Sequence, residues 1–91
     1  LGDVYKRQAV QDNAKCLILR MRSVNAIDST AMRNFERLYK ECQKKKVTLI
    51  FSHVNSQPMS IMHKAGFYEE VGADNFCAHI NDAMKRAQDL Q

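Results

Sequence analysis

Apolar residues run unbroken from Cys16 to Leu19 and, with one threonine inside, from Val47 to Phe51. Runs this short and this uniformly apolar read as strands buried on both faces, because helices need roughly ten residues or more. The first strand is taken as residues 16–21 and the second as 47–51. Between them the period lengthens. Ala31, Met32, Phe35, Leu38, Tyr39 and Cys42 recur at helical spacing, while Arg33, Asn34, Arg37 and Lys40 fall on the opposite side. This predicts an amphipathic helix over residues 29–45, capped by Asp28 or Ser29. A strand, a helix of about four turns and a strand joined by short links form a βαβ unit. The two strands are therefore expected to be parallel with a right-handed crossover.

Further along, Ser56 or Gln57 followed by Pro58 begins a second helix, and Gly66 ends it from the position just past the cap. Residues 67–71 are expected to hold a very short third strand, followed by Gly72. A last amphipathic helix over residues 75–88 would bury Phe76, Ile80, Ala83, Met84 and Ala87. At the other end, residues 1–8 have neither a period of 2 nor one of 3.6, and are expected to be an appended, non-native leader outside the fold. Residues 9–15 are polar and are expected as a helical or irregular lead-in. The domain is thus assigned to residues 9–91, with element order β-α-β-α-β-α and an α/β layer. Three strands make a thin sheet, which points to strands missing upstream.

The chain has 91 residues, 45% hydrophobic and 26% charged, so one small folded domain is expected and disorder is excluded. No apolar run approaches the roughly 20 residues needed to cross a bilayer. Three cysteines, Cys16, Cys42 and Cys77, are an odd number at wide spacing and favour reduced thiols. The net charge of +4 comes largely from Lys44-Lys45-Lys46 and Lys6-Arg7. The lysine run closes a helix, where cations complement the dipole; anionic headgroups are the other partner such a run fits. No aromatic residues interleave with it, which argues against nucleic acid as a partner.

In an open parallel sheet, ligands meet the loops beyond the carboxyl ends of the strands, here residues 22–29 and 52–57. The first carries Asn25 and then Asp28-Ser29-Thr30 directly before a helix, whose free N–H groups attract anions. A phosphate group can be bound there, or attached to Ser29 or Thr30. The same residue types are also ordinary cap chemistry. Asn55 on the neighbouring loop is a further polar contact. Met59, Ile61, Met62 and Ala65 give the second helix a broad apolar side, read either as packing on the sheet or as an adaptable partner surface. Cys77-Ala-His79, His53 and His63 lack the paired spacing of a zinc site, so no metal or other cofactor is expected. No base and orienting group accompany a nucleophile, and no catalytic residue is assigned.

The succession Cys16-Leu-Ile-Leu-Arg-Met, Val24-Asn-Ala-Ile-Asp28-Ser29-Thr30-Ala31-Met32, Val47-Thr-Leu-Ile-Phe51 and Lys64-Ala-Gly66-Phe67 resembles the STAS domain over residues 9–91. The likeness is strongest to the C-terminal domain of bacterial SulP sulfate and anion permeases, where a Gly-Phe turn, a Gly, an Asn and a His precede the last helix. Here these are Gly66-Phe67, Gly72, Asn75 and His79. The resemblance implies the STAS fold: a mainly parallel sheet on one side, helices packed on the other, and N-terminal strands that precede Ala9. It also implies a non-catalytic regulatory or interaction domain, itself soluble, at the cytoplasmic face of the bacterial inner membrane. Its partners would be the transmembrane part of the same permease and a nucleotide or a regulatory or carrier protein; a homodimer is expected separately, from the sheet edge that missing upstream strands would expose. In the stand-alone anti-sigma-factor antagonists the motif is Asp-Ser-Ser-Gly and its second hydroxyl is phosphorylated. That position matches Thr30, with Ser29 before it, and Ala31 departs from the glycine; the alternative reading is a stand-alone anti-sigma-factor antagonist switched by phosphorylation at Thr30 or Ser29.

Overall fold

In the computed structural model, which describes residues 3–10 and 13–89 and the side chains of residues 16–89, the two apolar runs lie side by side. They form strands β2 (Asn13–Arg20) and β3 (Thr48–Ser52), parallel and in register from Cys16 opposite Thr48 to Arg20 opposite Ser52. Helix α1 (Ser29–Lys44) joins them and matches the expected span within one residue.

Strand β1 (Asp3–Val10) pairs antiparallel with the outer edge of β2, from Asp3 opposite Arg20 to Val10 opposite Asn13. The segment expected to stand outside the fold therefore supplies a strand, and residues expected as an irregular lead-in belong to β1 and β2. Side-chain periodicity could not announce this, because ladder pairing is made by backbone groups. The N–H and C=O groups along the edge of β2 need partners that any extended, closely tethered segment can provide.

After β3, helix α2 (Ser56–Lys64) starts with Pro58 in its first turn, and Gly66 follows at φ 74° with its N–H donating to the His63 carbonyl. The third strand expected over residues 67–71 is instead a short helix, α3 (Phe67–Val71). Phe67 and Val71, four apart, are both buried, while Glu69 and Glu70 are exposed. That is the spacing of one helical turn, which a five-residue window cannot separate from a short apolar run. Gly72, at φ 102°, ends it. After a 3₁₀ turn at Ala73–Asn75, the strand role passes to β4 (Phe76–Cys77), parallel to β3. Helix α4 (Ile80–Asp89) consequently begins later than expected, and Phe76 is not on its face. Its ring stacks on Phe51 instead, 4.9 Å away and 7° from parallel.

The sheet order is β1-β2-β3-β4. Alternate side chains of the central strands serve two separate cores. Leu19, Met21, Leu49 and Phe51 face α1, α2 and α3, meeting Met32, Phe35, Met62 and Phe67. Cys16, Ile18 and Ile50 face the other way and are covered by Ala83 and Ala87 of α4. Burial of the strands on both faces is thus observed, and the one-sided arrangement of helices is corrected. Strands apolar on both faces need a cover on each.

Candidate functional site

The carboxyl ends of β2 and β3 lie together, the Met21 N–H donating to the Ser52 carbonyl at 2.9 Å. From there the chain passes through residues 22–28 into α1. Asp28 is the N-cap: its Oδ1 accepts from the Ala31 N–H at 2.8 Å. The loop before it is tied to the start of α2 by two amides. The Asn55 side chain donates to the carbonyls of Arg22 and Val24, and approaches Asn25 Oδ1 at 3.5 Å. Gln57 accepts from the Ile27 N–H through Oε1 and donates to the Ile27 carbonyl through Nε2, at 2.8 and 3.2 Å. A planar amide that satisfies both backbone groups of one residue holds that residue in a single position.

The structure therefore brings Asn25, Asp28 and Asn55 to one corner, with Asp28 and Asn55 occupied as cap and brace. Ser29 and Thr30 stand on the first turn of α1 and are exposed. Ala31 is inside that helix, where alanine is a better residue than glycine. Beside this turn runs an open groove of about 370 Å³ between α1 and α2, whose lining includes Ser29, Met32, Arg33, Ile61 and Lys64. Met62 is core, Met59 and Ile61 are half-buried and Ala65 is exposed, so most of the apolar side of α2 packs inward.

Gln57 escaped sequence reasoning because its partner is thirty residues away. Arg20, Ser52, His53 and His79 were also missed as a group. They line a second cleft, of about 400 Å³, on the α4 side of the same sheet edge. Only the rule that ligands gather at carboxyl strand ends could have pointed there.

Elsewhere the side chains offer less chemistry. Burial pushes the Cys42 thiol up, against nearby Lys45 and with nearby Glu41. Burial also raises Cys77, with Asp82 adding and Arg86 opposing. Thiols held protonated are poor nucleophiles. Among the described residues no group of three or more His, Cys, Asp or Glu stands where it could hold a metal ion. Lys44, Lys45 and Lys46 are exposed at the end of α1, with Lys44 3.8 Å from Glu41.

The sequence profile of the STAS domain matches residues 4–83. The chain belongs to the STAS domain family. This STAS domain is similar to the chloroplastic sulfate transporter 4.1 of Arabidopsis thaliana, 29% identical over 84 residues covering 91% of this chain and 12% of that protein. It is likewise similar to a putative sulfate transporter of Bacillus subtilis, 29% identical over 73 residues, 80% of this chain and 14% of the other. A crystal structure of a sulfate transporter family protein from Wolinella succinogenes superposes with a TM-score of 0.82 at 31% identity, covering 89% of this chain and 66% of that one. The STAS domain thus spans 10–14% of the length of the curated relatives it matches. Among its described residues no helix is long and apolar enough to cross a membrane.

Proposed function

We propose that this STAS domain is the non-catalytic regulatory or interaction module of a SulP-type transporter for sulfate-like inorganic anions, held at the cytoplasmic face of the membrane. The observation that carries the reading is its place among relatives. It matches about a tenth of proteins named as sulfate transporters, and its described residues include no helix able to cross a bilayer. Transport then belongs to the remainder of such a protein, and the module acts on it by contact. The corner built from Asn25, Asp28, Ser29, Thr30 and Asn55 is the surface that meets a nucleotide or a regulatory or carrier protein. Its braced loop and exposed first turn of α1 favour this, because a fixed backbone presents a docking surface at small entropic cost.

The test is sulfate uptake by the full transporter that contains this domain. Thr30→Arg places a bulky cation at the exposed turn without touching the core, and uptake should change at least severalfold at equal amounts of protein in the membrane. Unchanged uptake, together with unchanged uptake on deleting residues 3–91, overturns the proposal. A second reading, a phosphorylation switch at Thr30 or Ser29, is favoured by the exposure of both hydroxyls on a helix N-terminus. Intact-mass analysis after incubation with anti-sigma-type kinases should then show one added phosphate, absent in Thr30→Val or Ser29→Ala.

A further inference from the structure

The cleft on the α4 side of the sheet edge has the chemistry of an anion site. Arg20 and Ser52 are register partners at the ends of β2 and β3. Strand alternation puts both on the face of Ile18 and Ile50, the face that α4 covers. Ser52 is 1% exposed, the sole buried polar residue among those described, and its hydroxyl has no hydrogen-bond partner among the described residues. A buried hydroxyl without a partner carries a desolvation cost that a bound acceptor would relieve. Arg20 is half-buried and Arg22 exposed, and neither makes an ion pair among the described residues.

The remaining walls carry donors. The rings of His53 and His79, both of which line the cleft, lie 6.1 Å apart, and His53 is held at φ 56°, a conformation uncommon for a residue with a Cβ. The His79 carbonyl accepts from Ala83, so His79 is the residue from which α4 starts. Among the described residues no side chain caps the N–H groups of Ile80 and Asn81, which also line the cleft. Arg20, Arg22, Ser52, His53, His79 and the start of a ten-residue helix together line about 400 Å³.

We infer that this cleft binds a tetrahedral oxyanion, a sulfate or a phosphoryl group, between Arg20, Arg22, Ser52 and the first turn of α4. The site is distinct from the Asp28–Thr30 corner, because it lies on the opposite face of the sheet. Free inorganic ions and the phosphates of a larger ligand present the same chemistry.

The test is a titration of the isotopically labelled chain with sodium sulfate, sodium phosphate and a nucleoside triphosphate, with sodium chloride as control at constant ionic strength. Sulfate or phosphate should produce saturable amide shifts at residues 52–53 and 79–82, leaving residues 29–32 in place. Arg22→Gln, on an exposed side chain whose loss cannot unfold the domain, should weaken binding about tenfold. Ser52→Ala should weaken it about threefold or more, with amide spectra reporting that the fold is kept. Saturation by the nucleotide at the same amides, displaced by sulfate, assigns the site to a phosphorylated ligand; saturation by the inorganic ions alone assigns it to free oxyanions. Equal shifts from chloride, or affinities unchanged in both variants, overturn the inference. Because uptake plays no part here, an empty cleft leaves the regulatory reading standing, and a failed uptake test leaves this site standing.

Discussion

The chain offers Asp28 or Ser29 as the cap of α1, and the structure selects Asp28. The Asp28 carboxylate accepts from the Ala31 N–H three residues on, an interaction local enough to be written in the sequence. Asp28→Ala should lower the unfolding free energy by about 1 kcal/mol in urea titration, whereas Ser29→Ala, one residue further into the helix, should change it by less than about half of that. Cys42 supports a second expectation at this scale. Burial raises its thiol, so the native state keeps a proton that the unfolded chain releases. Its contribution is complete below the unfolded thiol pKa of about 8.5 and is lost as the pH climbs through the higher folded value. The stability difference between the native chain and Cys42→Ala should therefore shrink between pH 7 and pH 10, as read from denaturation midpoints. Gln57 could not be read this way. Nothing near it in the chain marks an amide that clamps the backbone of Ile27.

At the scale of elements, the long periodic ones were legible and the short ones were not. Helix α1 repeats its apolar face over sixteen residues, enough to fix its type and both ends. The five residues of α3 and the two of β4 carry too few positions for any period, and the assignment of each fell to its neighbours. Phe76 left the helix face expected for it because the β3 edge offered a backbone ladder and Phe51 a ring to stack on. The small residues of α4 make a sharper point. Ala83 and Ala87 are completely buried against Cys16, Ile18 and Ile50, which lets the helix lie close on the sheet. Ala83→Leu should force α4 away and cost about 1–3 kcal/mol, with a matching fall in amide protection along α4.

At the scale of the molecule, one sheet divides the chemistry. The carboxyl ends of β2, β3 and β4 converge on one edge, and the two covers of the sheet give that edge two sides. On the α1 side stand the braced loop and exposed hydroxyls that support the regulatory reading. On the α4 side stand the arginines and the buried Ser52. A domain of this size can thus present two separate surfaces, one beside each of the two cores that flank its sheet.

The α/β class, the parallel pair of strands, α1 with a cap at Asp28 or Ser29, the glycine that ends α2 and the family likeness were all legible along the chain. Each of these rests on contacts within a few residues or on a period repeated many times. It took the assembled fold to show that residues 3–10 form a strand, that residues 67–71 are helical, that α4 covers the far face, and that Arg20, Ser52, His53 and His79 share a cleft. Those outcomes depend on backbone ladders and on side chains separated by tens of residues, whose meeting is set by packing rather than by any local pattern.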